Sequence, residues 1–173
     1  MNDAAHYAAI FAGLRPTIES PRLLLRPFVP DDGAAIERHA GEREVARTLL
    51  AMPHSCPGGA AVTWITRFET GHHHAEVGYW LRHDRWGTGI VTEATAALSK
   101  WAFRELGLNR VFARHMAANP ASGAVMRKTG MTLEGTLRQH YEKNGAMHDF
   151  HIYGILREEF FAQQPPGPDR EHA

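Results

Sequence analysis

A chain of 173 residues, 43% hydrophobic and 22% charged, can form one domain with a real core but hardly two. Lys plus Arg equals Asp plus Glu at 19 each, so no net charge argues for nucleic acid or an anionic membrane as a partner. Cys56 stands alone, which excludes an internal disulfide. There is no apolar run of about 20 residues and no basic-then-apolar leader, so a soluble, cytoplasmic protein is expected.

In chain order, residues 1–20 form a weakly patterned leader, and Arg22 to Phe28 reads as a strand closed by Pro27 and Pro30. Asp31 then serves as N-cap for a helix from Asp32 to about Ala40, with Ala35, Ile36 and His39 on one face. Val45 to Leu50 reads as a short helix, Pro53 to Gly59 as a loop, and Ala60 to Glu69 as a further helical run ended by Gly71. Ala75 to Leu81 reads as a strand running into the turn Trp86-Gly87-Thr88-Gly89. From Gly89 to Leu106, residues Ile90, Ala94, Ala97, Leu98, Trp101 and Ala102 recur at helical spacing, and Gly107 follows as cap. Arg110 to Met116 predicts a strand. Asn119-Pro120 opens a helix that stops at Gly130, with Asn as N-cap and Pro at the first helical position. Met131 to Leu137 and Met147 to Leu156 predict two strands, with Asn144-Gly145 as turn chemistry between them. The expected organisation is a single domain over residues 1–162 and a disordered Pro-rich tail from Gln163. Strand, helix, strand, helix, strand, strand over residues 75–156 is a mixed α/β layer.

Glycines at a strand-to-helix junction let the backbone approach a ligand, and the following helix offers unpaired N–H groups and a partial positive charge. The Trp86–Glu93 segment therefore reads as a site for a phosphorylated ligand. It is not a P-loop, since no Gly-Lys-Ser/Thr follows. It is a poor Rossmann turn, since Thr92 occupies the place of the third glycine.

Taken jointly, the motifs resemble the GCN5-related N-acetyltransferase (GNAT) superfamily, in particular its ribosomal-protein-alanine acetyltransferase (RimJ/RimL-like) branch. The match runs over roughly residues 20–157. It comprises Ser20-Pro21-Arg22-Leu23-Leu24-Leu25-Arg26-Pro27 with Asp31-Asp32, Ala75-Glu76-Val77-Gly78-Tyr79-Trp80, and Trp86-Gly87-Thr88-Gly89 with Thr92-Glu93-Ala94. Leu106-Gly107-Leu108-Asn109-Arg110-Val111, Asn119-Pro120-Ala121-Ser122, Gly130-Met131 and Glu134-Gly135-Thr136-Leu137-Arg138 complete it.

The resemblance implies an α+β fold, a central, mostly antiparallel sheet flanked by helices, and transfer of acetyl from acetyl-CoA to a primary amine by direct attack in a ternary complex. A protein or peptide N-terminus is the implied acceptor, and no metal is implied. It places Gly87, Thr88, Gly89, Ile90 and Val91 around the pyrophosphate, Tyr79, Trp80 and Leu81 along pantetheine, and Trp86 beside the cofactor gap. Asn119 would hold pantetheine or orient the site, Ser122 would protonate the departing thiolate, and Glu76 would act as base, directly or through water. Each residue has a plainer role beside this one. The glycines also make a tight turn, Asn119 and Ser122 also cap a helix, and Glu76 also fits a solvated strand face. Trp80 and Trp86 serve equally as packing or as cleft wall. His72-His73-His74 carries no metal-ligand spacing, because neighbours on a strand point to opposite faces. His115, His140, His148 and His151 read as surface or cleft histidines.

Two features depart from the family pattern. Trp86 and Val91 occupy positions usually held by a basic or Gln residue and by Gly or Ala. Between Gly71 and His74 there is also no room for the two strands that family members carry there, which need on the order of 15–25 residues. The strand bearing Glu76 is thus expected to have an open edge unless the first strand, a helix or a second subunit of a homodimer covers it. Two rivals to the enzyme stay open: a catalytically impaired CoA-binding module, and a structural, self-associating protein with a vestigial fold.

Overall fold

The computed structural model describes residues 16–49 and 73–163. The readings of a loop over 53–59, a helix over 60–69 and a disordered tail beyond Gln163 lie outside these residues, as do Trp64 and His72, while Gln163 itself caps the last helix.

The first described element is a small hairpin, β1 (Ile18–Glu19) against β2 (Leu24–Leu25), antiparallel and closed by Ser20 N–H donating to the Leu23 carbonyl at 2.9 Å. This corrects the longer strand expected over residues 22–28. Pro27 and Pro30 lack the N–H groups a ladder needs, and the Arg26 side chain turns to Asp32 instead. A 3-10 turn, Pro30–Asp32, leads into α1 (Gly33–Ala40), followed by α2 (Arg43–Ala46). No side chain caps α1, correcting the N-cap role expected of Asp31. The neighbouring Asp32 carboxylate accepts from Arg26 at 2.8 Å on both oxygens and from Val29 N–H at 2.8 Å.

The main sheet runs in the order β3-β4-β6-β5, built from β3 (His74–Glu76), β4 (Arg110–Met116), β5 (Thr132–Lys143) and β6 (Ala146–Leu156). β3 and β4 are parallel; the other pairs are antiparallel. Between them lie α3 (Ile90–Glu105) and α4 (Pro120–Lys128), and α5 (Arg157–Ala162) follows β6. Sequence reading did not anticipate α5, six residues long with no apolar repeat.

Alternation along β4 sorts its side chains. Val111 and Ala113 are buried and join Phe103, Leu106, Met126, Ile155 and Phe160 in the main core, which fills the space between the sheet and α3, α4 and α5. Arg110, Phe112 and Arg114 are half-buried on the alternate face. A second cluster, Ile36, Ala40, Val45 and Leu49, packs α1 and α2 against Trp80 and Trp86. Among the described residues no helix is long and apolar enough to cross a membrane.

β3 is shorter than the strand expected from Ala75 to Leu81. The ladder ends with Val77 N–H donating to the Phe112 carbonyl at 2.8 Å, and residues 78–82 leave β4 without strand structure. Two side chains draw this stretch aside: Tyr79 toward the start of α4, and Trp80 into the α1–α2 cluster. Among the described residues β3 ends the sheet order, and β1 pairs with β2 rather than with β3.

Candidate active site

The glycine turn is assembled by backbone conformations that the residue types select. After the 3-10 turn His83–Arg85, Gly87 (φ +76°) and Gly89 (φ +80°) take left-handed angles that a side chain would strain. Thr88 Oγ1 donates to the Arg85 carbonyl at 2.6 Å, tightening the loop from within. Gly89 is the N-cap of α3 and brings no capping side chain. The first helical bond is Glu93 N–H to the Gly89 carbonyl at 3.0 Å, so the amides of Ile90, Val91 and Thr92 precede the helical ladder. An anion at this helix start meets several N–H donors and the positive end of the helix dipole, and a pyrophosphate fits that donor set.

Glu93, in the first turn of α3, is held by the β1–β2 hairpin. Its carboxylate accepts from Ser20 Oγ at 2.7 Å, Arg22 N–H at 2.8 Å and Arg22 Nε at 2.6 Å. These bonds, Ser20 first, hold its pKa below the ordinary 4.5. Arg22 Nη1 also donates to the Thr88 carbonyl at 3.1 Å.

The other sequence-predicted residues fall into three groups. Tyr79 and Ser122 meet, with Ser122 Oγ donating to the Tyr79 hydroxyl at 3.0 Å and the Tyr79 hydroxyl donating to the Ser122 carbonyl at 3.1 Å. Asn119 Oδ1 accepts from Ser122 N–H at 3.3 Å, capping α4. Asn119 and Ser122 thus carry the cap geometry of their plainer reading, while Tyr79 joins them across the gap that opens beyond Val77. Burial pushes the Tyr79 phenol above its ordinary 10.0, more than the Ser122 hydrogen bond lowers it.

Trp80 and Trp86 form the second group. Both rings pack on the α1–α2 cluster, and Trp86 Nε1 donates to the Leu81 carbonyl at 2.8 Å. Their side chains thus have the packing role.

Glu76 stands by itself. Its two oxygens accept from Arg114 Nε and Nη2, each at 2.8 Å, in a bidentate pair about one-third exposed. Sequence reading missed Arg114. Alternation along Arg110–Met116 placed it in phase with Phe112, but no local signal gives the register that sets Phe112 opposite Glu76.

His115 corrects the surface reading of the histidines: it is 5% exposed. Nδ1 meets the Met116 carbonyl at 2.8 Å, and the ring lies among His151 and Tyr153 beneath Gly123 of α4. Burial lowers its pKa from the ordinary 6.5. His73 takes a left-handed φ of +57°, and His74 packs edge-on to Phe112. Among the described residues no group of three or more His, Cys, Asp or Glu is placed to hold a metal.

On the β5–β6 hairpin a bulge sets Gln139 at φ +48°, its N–H held by Asp149 Oδ1 at 2.7 Å. A cavity of about 650 Å³ opens there, lined by Thr136, Leu137, Arg138, Gln139, His140 and Asp149. None of the glycine-turn residues lines it, but Ala117 N–H donates to the Asp149 carbonyl at 2.8 Å, so it borders the turn leading to Asn119.

The chain is similar to known proteins. Residues 61–132 match a family described as the acetyltransferase (GNAT) domain. An uncharacterised N-acetyltransferase of Bacillus subtilis, YoaA, is 34% identical over 175 residues, covering 82% of this chain and 97% of the relative. The ribosomal-protein-serine acetyltransferase of Escherichia coli is 34% identical over 92 residues, 53% of this chain and 51% of its own. In three dimensions the chain is similar to the crystal structure of a GNAT-family acetyltransferase from Bacillus anthracis. That likeness has a TM-score of 0.70 at 22% identity, over 83% of this chain and 99% of the other.

Proposed function

The chain belongs to the GNAT family of acetyl-CoA-dependent N-acetyltransferases, and we propose that its acceptor is the N-terminal amine of a protein or peptide. The observation that carries the coenzyme A site is the gap between residues 78–82 and β4. The glycine turn and α3 follow residues 78–82 in sequence, and the Tyr79–Ser122 hydroxyl pair spans the gap. A relative that acts on ribosomal protein supports the acceptor class.

In this reading the amides around Gly89–Val91 bind the pyrophosphate. Residues 79–81 and Asn119 line the pantetheine arm. Backbone N–H groups of residues 78–81, freed from the ladder, stabilise the developing oxyanion. The amine attacks the thioester carbonyl, the tetrahedral centre collapses, and the thiolate takes its proton from Ser122 as Ser122 Oγ regains one through water, matching the proton that Glu76 later returns to solvent. The ammonium proton leaves through water toward Glu76. Arg114 fixes both oxygens of that carboxylate while leaving each further lone pairs. Residues 1–162 form a single cytoplasmic domain, and a homodimer contact is one way to cover the β3 edge.

Thiol release from acetyl-CoA, followed across peptides with free N-termini, polyamines and aminoglycosides, tests the acceptor. Turnover should appear with the peptides and be lost when their α-amine is blocked. Release confined to polyamines or aminoglycosides would sink the acceptor class.

A further inference from the structure

We propose that Arg22, on the turn between β1 and β2, is the positioning residue that sets the glycine turn in its phosphate-receiving form. The proposal deepens the coenzyme A reading of that turn and rests on it.

Two hydrogen bonds and one close approach define the place of this side chain. Nη1 donates to the Thr88 carbonyl at 3.1 Å, Nε to Glu93 at 2.6 Å, and Nη2 lies 3.4 Å from where a Cβ on Gly89 would stand. Across a trans peptide the carbonyl and the following N–H point in opposite directions. Arg22 holds the Thr88 carbonyl toward itself and so turns the Gly89 N–H away, toward the helix start where the phosphate binds. With Gly87 and Gly89 both able to flip, this bond selects one peptide orientation among several the glycines permit.

The second contact manages charge. Glu93 places a carboxylate in the first turn of α3, where it would repel an incoming pyrophosphate. Arg22 Nε, the Arg22 amide and Ser20 Oγ all bind that carboxylate and direct its charge toward the hairpin. A guanidinium can serve the Thr88 carbonyl and Glu93 at once because its donors form a rigid fork; a lysine offers a single head. The Ser20-Pro21-Arg22 segment thereby gains a role in the cofactor site, although it lies some 65 residues before the glycine turn.

The test is calorimetric titration of wild type, R22Q and R22K with CoA, dephospho-CoA and pantetheine, which needs no acceptor. R22Q should weaken CoA and dephospho-CoA about tenfold each, as expected for losing a charge-assisted donor, and leave pantetheine within about twofold. R22K should recover part of that loss. Unchanged CoA affinity in R22Q, or a parallel loss for pantetheine, would overturn the proposal, the latter by assigning Arg22 to general scaffolding. Full recovery by R22K would replace orientation with charge alone, and a loss confined to CoA would move the contact to the 3′-phosphate; either overturns it. A wild-type protein that binds none of the three ligands would instead overturn the coenzyme A reading itself.

Discussion

In the proposed reaction the Tyr79 and Ser122 hydroxyls, which already hydrogen-bond each other, would act as a proton-delivery pair. Because burial keeps the phenol above its ordinary 10.0, Tyr79 stays protonated across the working range, and its one proton is committed to the Ser122 carbonyl. The Ser122 proton points at the Tyr79 oxygen in the absence of a better acceptor, and a thiolate is a better acceptor. S122A should therefore lower kcat by about 10²-fold, the low end of general acid catalysis, with the KM for acetyl-CoA within about twofold. Y79F keeps the ring in the gap but removes the acceptor that orients Ser122, so its loss should be smaller. Steady-state kinetics of both variants check this, and a larger loss in Y79F than in S122A would transfer the acid role to Tyr79.

At the scale of elements, α4 sits where it does because one position on it has no side chain. A Cβ on Gly123 would stand 2.8 Å from His115 Nε2 and 3.1 Å from Cε1, on a ring pinned by the Met116 carbonyl and by its neighbours. Helix propensity alone makes Ala better than Gly by roughly 0.5–1 kcal/mol. Here overpacking should win, with G123A destabilising by about 1–3 kcal/mol and kcat falling as the Asn119–Ser122 turn shifts. Thermal melts of G123A and of H115A/G123A check it: the double variant should regain part of the loss, and a raised Tm in G123A would refute the packing account. Sequence supplied the helix but not its seat. Asn119-Pro120, Gly107 and Asn144-Gly145 are local signals, and α3, β4, α4 and the hairpin turn lie close to where they indicated, although β5 runs on to Lys143, past its expected end at Leu137. Contacts set by register left no such trace. Arg114 on Glu76, His115 under Gly123, and Lys143 donating to the carbonyls of Ala46 and Arg47 all depend on which strand lies beside which. The early departure of residues 78–82 from β4 has the same origin, because Tyr79 and Trp80 are drawn to partners far away in sequence.

Among the described residues, the N-terminal segment is fastened to the rest of the molecule at three places: Ser20 and Arg22 on Glu93, the α1–α2 cluster on Trp80 and Trp86, and Lys143 on the end of α2. The first of these is an acid-labile latch. Glu93 is held below its ordinary 4.5, and Asp32, braced by Arg26 beside the same hairpin, is lowered to about 2. For carboxylates depressed in the folded state, the unfolded chain takes up protons first as pH falls. Their contribution is complete above the ordinary carboxylate values and is lost as pH drops through the folded ones. The Arg22 amide, which donates to Glu93 at 2.8 Å, reports the latch directly in an NMR titration. Its shift should stay flat above about pH 5 and move with a midpoint below the ordinary 4.5, while Arg26, bonded to Asp32, responds only nearer pH 2. Acetyl-CoA affinity should decline over the Glu93 window, because the same bonds orient the glycine turn. In E93Q the Arg22 shift should lose that titration. A midpoint at or above the ordinary value, or an unchanged titration in E93Q, would show that Glu93 does not govern the attachment.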